Sequence, residues 1–230
     1  MSRLLVHVEG QTEETFVNEI LGPHLLSHGY TSISARLLGN SRNRLRRGGI
    51  RAWQAVRKDI INHLQGDPNC LSTTMVDYYA LPRTGNNAWP GCDQAALLPF
   101  PENAKKVESA MTVDVCNQLG DHFDPKRFIP YIMMHEFEAL LFSDCEKFAR
   151  GIERPDLVQN LQEIRLQFAT PEEINDSPQT APSQRLKTLM PGYSKILFGK
   201  LAILEIGLDA IREECPHFKQ WLGQLETCLR

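Results

Sequence analysis

The sequence contains no CxxC pair, no GxxxxGK[ST] loop, no HExxH motif and no apolar run near the ~18–20 residues that span a bilayer. Each absence removes a class of function. Cys70, Cys92, Cys116, Cys145, Cys215 and Cys228 are scattered, so no zinc ribbon or finger is indicated, and the set reads as reduced thiols of a cytoplasm. Without a phosphate-binding loop the chain is not expected to hydrolyse ATP by that route, and an energy-coupled role would need an ATPase partner. Without HExxH, zinc-protease chemistry is not indicated. The longest apolar-rich segment, 196–211, is interrupted by Lys200, Glu205 and Asp209, so no membrane association is expected. The opening MSRLLVHVEG has Arg3 as its only base, and its apolar run stops at Glu9 with no small-residue cleavage site after it. That predicts no export and a cytoplasmic location. Charge is nearly balanced, at −3 over 230 residues, so its distribution matters more than its total.

What is present is the composition of a folded domain, 42% hydrophobic and 23% charged. Strand and helix signals alternate. Apolar LLVHV (4–8) ends at Glu9-Gly10, and a helix follows with Thr12 as its expected N-cap, Glu13 and Glu14 in its first turn and Pro23 bending it. Strands are predicted over 31–38, 72–81 and 128–134. Helices are predicted after them, with apolar residues such as Trp53, Val56, Ile60 and Leu64 at helical spacing. Segment 136–149 also reads as a helix. Strands separated by helices imply a mainly parallel α/β sheet, whose functional residues collect at the C-terminal strand ends. The last third is different: a proline-rich connection over 169–191, then two closing helices over 194–215 and 216–229. We read 1–150 as the core and 151–230 as a helical extension packed on it.

Carboxylates stand at three of the predicted strand ends: Glu9, Asp77, and Glu136 with Glu138. A buried glutamate before a glycine needs a partner, and hard oxygen ligands suit Mg²⁺ or Mn²⁺. Two such groups on adjacent strand ends are the minimum of a metal site for phosphoryl transfer. Glu9 alone is better explained as a carboxylate using backbone N–H groups at the following helix. In extended chain Glu136 and Glu138 share a face; on a helix they diverge and only one reaches the site. His135, at the same strand end, is a candidate general acid or base. His7, between two valines, is expected to be a satisfied strand residue.

These segments resemble the TOPRIM fold of topoisomerases, bacterial primases and nucleases of the overcoming-lysogenization-defect type. More closely, the chain resembles a family of small bacterial proteins known only as a domain of unknown function, often encoded beside an ATPase in defence loci. The resemblance rests on VEGQTEE (8–14), TTMVDYYALP (73–82), FIPYIMMHEFEALLF (128–142), APSQRL (181–186) and IGLDAIREECPHFKQWL (206–222). It implies a TOPRIM-like, Rossmann-like fold. It makes Glu9 the general base or a metal ligand and Asp77 the first aspartate of an Asp-x-Asp metal pair. The second aspartate is Tyr79 here. Glu136 or Glu138 then compensates, giving a Glu9, Asp77 and Glu136 metal set. The implied activity is a Mg²⁺- or Mn²⁺-dependent nuclease, an effector of an ATPase-coupled anti-phage system. The Tyr79 departure keeps a second reading open: a degenerate subunit that binds nucleic acid or the ATPase without turnover.

Residues 20–58 contain no Asp or Glu but eight cations, including Arg42, Arg44, Arg46, Arg47 and Arg51. Arginine forks suit phosphate, so this segment is the expected nucleic-acid contact, whether DNA or RNA. A solvated loop or a dock for an acidic partner also accounts for it. Arg185, Lys187, Lys195 and Lys200 form a weaker basic set; Tyr193-Ser194-Lys195 could reach a phosphate, and a surface helix explains it as well. Trp53 and Trp221 are expected in the core, and Trp89 in a loop that stacks on a base or covers a partner. The oligomeric state is open.

Overall fold

The computed structural model describes residues 2–38, 49–175 and 180–229. In chain order its regular elements are β1 (Arg3–Val8), α1 (Gln11–Phe16), α2 (Gly22–Leu26), β2 (Ser32–Leu37), α3 (Trp53–Gly66), β3 (Cys70–Asp77), α4 (Cys92–Ala95) and α5 (Glu102–Leu119). They continue with β4 (Phe128–Ile129), β5 (Ile132–Met133), α6 (Cys145–Gly151), α7 (Val158–Arg165), α8 (Pro182–Leu189), α9 (Lys200–Glu214) and α10 (Pro216–Thr227). The sheet order is β2-β1-β3-β4, with β5 also on β3, and every pairing among the described residues is parallel. This is the expected α/β class, a mainly parallel sheet with flanking helices. All C-terminal strand ends therefore lie along one edge. Among the described residues no helix is long and apolar enough to cross a membrane.

Helices cover both faces of the sheet. On one face Leu4, Val6 and Val8 of β1 pack with Phe16 of α1, Ile203 and Ile206 of α9, and Phe218 and Trp221 of α10. On the other, Trp53, Val56, Ile60 and Leu64 of α3 pack with Val107, Met111 and Val115 of α5 against Val76 and Ile132. The period-2 alternation of β3 makes this possible, sending Leu71 and Met75 to one face and Val76 to the other. On the first face the Trp221 indole N–H donates to Thr73 Oγ1 at 2.9 Å, which ties α10 to the central strand.

Several local expectations are corrected. The strand expected over 72–81 ends at Asp77, where the chain turns into a 3₁₀ segment, Tyr78–Ala80. The strand expected over 128–134 is two short pieces, because Pro130 has no N–H to give to a ladder. Tyr131 between them exchanges both backbone groups with the Thr74 hydroxyl, at 3.0 Å each. Segment 136–149 is a 3₁₀ helix, Phe137–Ser143, followed by α6, whose N-cap Asp144 accepts from the Lys147 amide. The N-cap of α1 is Gly10, not Thr12. The helix over 194–215 opens as a π turn, Lys195–Gly199, and breaks again at Gly207, whose φ of 77° only glycine adopts readily.

Candidate functional site

The edge formed by the C-terminal strand ends holds a cluster of carboxylates around one ammonium. Val8 pairs with Met75, so Glu9 and Asp77 both lie just past that rung. Lys195 Nζ is 2.8 Å from Asp77 Oδ2, 3.2 Å from Glu138 Oε2 and 3.4 Å from Glu13 Oε1. Asp77 Oδ1 accepts the Phe137 amide at 2.8 Å, which fixes the start of the 3₁₀ segment that carries Glu138. Strand end, first helix, 3₁₀ turn and π turn thus each send one side chain to a common point.

Local packing explains why Glu13 and Lys195 can meet. Gly10 is extended, with φ −143° and ψ −177°, so its backbone turn does not require glycine. Space does: a Cβ there would stand 2.9 Å from Glu13 Oε2. At Gly199 a Cβ would stand 3.1 Å from Thr12 Cγ2, so glycine lets the π turn lie on α1. Thr12 Oγ1 then donates to the Lys195 carbonyl at 3.3 Å, which holds the lysine's backbone against that helix.

The electrostatics are those of too many acids for one cation. Glu13 and Glu138 are each 1% exposed, and none of their four carboxylate oxygens has a hydrogen bond of good geometry. Glu9 Oε2 is also without one. Burial, then the Asp77 charge, pushes Glu9 up to about 8, against the pull of Lys195 and the Asp77 backbone amide. Burial pushes Glu138 up to about 7 despite Lys195, and raises Glu13 as well. Burial alone would lower the Lys195 pKa; Asp77, Glu138 and Glu13 outweigh it and hold the ammonium charged. Carboxylate oxygens left without hydrogen bonds are hard donors of the kind Mg²⁺ or Mn²⁺ takes, and a bound cation would favour their ionised form. The carboxylates surround the ammonium rather than converging on one another, so Lys195 is the cluster's resident counter-ion.

The sequence-predicted residues distribute unevenly around this point. Glu9, Asp77 and Glu138 belong to the cluster. Glu136 turns away: its Oε2 accepts the Ser183 amide at 3.0 Å, at the start of α8. The 3₁₀ segment separates the two glutamates as a helix would, and Glu138 is the one that reaches Lys195. His135 lies against the rings of Tyr79 and Tyr78, with centroids at 5.2 and 5.9 Å. Burial, helped by Arg83, brings its pKa down to about 4, so it is neutral at neutral pH. Tyr79 donates its amide to the His135 carbonyl at 3.3 Å, and its ring lies against that of His135. Arg42, Arg44, Arg46 and Arg47 lie outside the described residues. Arg51 is described and sits 3.3 Å from Asp59. The chain on either side of 39–48 is anchored at the site: Leu38 N–H donates to the Val8 carbonyl at 3.0 Å and Gly49 N–H to the Glu9 carbonyl at 2.9 Å.

Two site residues escaped the sequence reading. Glu13 was read only as a first-turn acid, and its spacing of four from Glu9 was the available signal. Lys195 was read in a weak basic set; nothing local distinguishes it. Two other readings are corrected. Trp89 is 2% exposed, packs on Trp53 and donates its indole N–H to the Arg51 carbonyl at 2.9 Å, so it is a core residue. His7 is buried beside His63 with neither ring nitrogen hydrogen-bonded, and burial brings its pKa down to about 3. It is a neutral core imidazole without partners.

The model of a domain of unknown function, DUF4276, matches residues 8–226. The chain belongs to the DUF4276 family. That family match includes every member of the cluster, from Glu9 to Lys195. Among solved structures the chain is similar to the C-terminal region of the OLD protein of Xanthomonas campestris pv. campestris. The two share 15% identity over 98% of this chain and 95% of that one, with a TM-score of 0.42. No curated protein matches.

Proposed function

We propose that this DUF4276 chain hydrolyses phosphodiester bonds of nucleic acid at the Glu9, Asp77 and Glu138 cluster, with Mg²⁺ or Mn²⁺ as its cofactor. The observation that carries the reading is the set of buried carboxylates without hydrogen bonds at the C-terminal strand ends. Asp77, Glu138 and Glu9 would hold the cation, with Glu13 behind them. When bound, it would polarise the scissile phosphate and acidify water. Burial keeps Glu9 largely protonated at neutral pH in the metal-free chain; once ionised beside the cation, it would take the proton of the attacking water as the P–O bond to the leaving oxygen breaks. Lys195 would face the phosphate's developing negative charge. The Arg42 to Arg47 segment would hold the nucleic-acid backbone, because its flanks are tied to Val8 and Glu9. Following the resemblance, the setting is a bacterial anti-phage system with a partner ATPase.

Cleavage of a DNA and RNA panel with Mg²⁺ or Mn²⁺, for wild type and Glu9→Ala/Asp77→Ala, tests the proposal. Metal-dependent cleavage lost in the variant supports it and identifies the substrate. No cleavage by wild type, alone and with its neighbouring ATPase, sinks it.

A second reading, a binding subunit without turnover, is favoured by two features: Lys195 sits where a cation is wanted, and Tyr79 replaces the second acid. Lys195→Met separates the two. A catalytic lysine loses about 10²–10³-fold in cleavage on removal. In a subunit without turnover there is no cleavage to lose, and removing a lysine that only plugs the site gives tighter Mg²⁺ binding.

A further inference from the structure

Away from the carboxylate edge, a second cluster joins the two ends of the chain. The helical run that begins at Gln11 on the carboxylate edge reaches His24 at its far end, on the order of 20 Å away at 1.5 Å per residue. There His24 of α2 and His28, in the turn just past the end of α2, meet Glu226 of α10. The His24 Nε2, His28 Nε2 and Glu226 carboxylate donors all lie within 4.8 Å of one another. His24 Nε2 is 2.7 Å and His28 Nε2 3.9 Å from Glu226 Oε1. Tetrahedral zinc with Zn–N of about 2.0–2.1 Å sets neighbouring donors about 3.3 Å apart, midway between those two distances.

Supporting contacts orient the donors as a metal site requires. His28 Nδ1 lies 3.0 Å from the His24 carbonyl, which places its proton there and leaves the Nε2 lone pair toward Glu226. Arg212 grips Glu226 with two hydrogen bonds, 2.7 Å to Oε1 and 2.9 Å to Oε2, and so fixes the carboxylate's plane. The His24 and His28 side chains are about one-quarter exposed, so a water can complete the coordination. Two imidazoles and one carboxylate suit Zn²⁺, and Mg²⁺ poorly.

We propose that His24, His28 and Glu226 form a Zn²⁺ site that clips α2 to α10, independent of the carboxylate cluster. A helix near the start of the chain would thereby be stapled to its last helix, and binding would stabilise the folded state. The competing account is a proton-linked cluster in which His24 pairs with Glu226 and no metal enters.

Titration of the full chain with CoCl₂, followed by ZnCl₂, distinguishes them. The expected result is one Co²⁺ per chain with the visible absorption of four-coordinate cobalt, no thiolate charge-transfer band, and displacement by Zn²⁺. ZnCl₂ should also raise the thermal midpoint. Both signals should disappear in His24→Ala/His28→Ala and persist in Glu13→Gln/Asp77→Asn. A wild-type chain that gives no four-coordinate spectrum overturns the proposal without reference to any variant. So does a spectrum that survives in a His24→Ala/His28→Ala protein whose circular dichroism matches wild type.

Discussion

Glu172 and Glu138 are both withdrawn from water, at 0% and 1% exposure, yet the protein treats them differently. Glu172 receives the first amides of α10, from His217 at 2.9 Å and Phe218 at 3.0 Å, and the Tyr131 hydroxyl at 3.5 Å. It does the work of a helix cap, collecting donors that α10 would otherwise leave unpaired. Glu138 has a lysine at 3.2 Å and no hydrogen bond of good geometry. Burial raises the pKa of both, so burial alone does not separate them. Satisfaction does. A carboxylate with both oxygens hydrogen-bonded is part of the scaffold, and one kept buried with its oxygens unused is held for something else.

Mutations should split along that line. If the strand-end cluster is catalytic, Glu9→Gln lowers cleavage by about 10²–10⁴-fold while the urea midpoint stays within a small shift of wild type. An equal loss of folding would erase the contrast. Glu172→Ala should do the reverse. It strands the α10 amides and the Tyr131 hydroxyl, and about 3–5 kcal/mol of stability is lost in urea unfolding. At the strand ends neutralisation should help the metal-free protein: Glu13→Gln removes one acid competing for Lys195 and gains about 0.5–2 kcal/mol. A destabilised Glu13→Gln protein would show that the cluster is ordinary scaffold.

The smallest effect expected is in the pH dependence. Glu9 and Glu138, with pKa values of about 8 and about 7, keep protons in the folded chain that the unfolded chain has released above the ordinary carboxylate range. Their contribution is fully present below the unfolded pKa and is lost as pH rises through about 7 to 8. Without divalent cations, urea midpoints should therefore fall from the ordinary carboxylate range upward and level off above about pH 8. The fall should be shallower in Glu9→Gln, and shallower in wild type with Mg²⁺. A flat profile would mean that the cluster is already compensated.

Much of the fold was legible. The periodicity of Trp53, Val56, Ile60 and Leu64 is local, and α3 buries those four side chains. The run before Glu9 and the acid at Asp77 are local too, because a strand's end is written in its own residues. Where prediction slipped, a partner decided. Pro130 and the Thr74 hydroxyl split the last strand, and the fate of Trp89 depended on Trp53 and the Arg51 carbonyl. His7 looked like a satisfied strand residue because its neighbours are valines. That no hydrogen-bond partner faces it is a property of α3, more than forty residues away.

By itself the sequence determined where the first strand ends, which helices have an apolar face, and that carboxylates stand at the ends of the first and third strands. Those features depend on side-chain period, proline and glycine within a few residues, and the chain carries them wherever it goes. Only the tertiary structure decided that Lys195 stands among acids from the first helix, the third strand and the turn beyond the fifth. It also chose Glu138 over Glu136 and brought Glu226 to His24. Each of those meetings joins residues far apart in the chain, and it exists because parallel pairing and the two packed faces put them at one edge or one corner. No local pattern encodes that proximity.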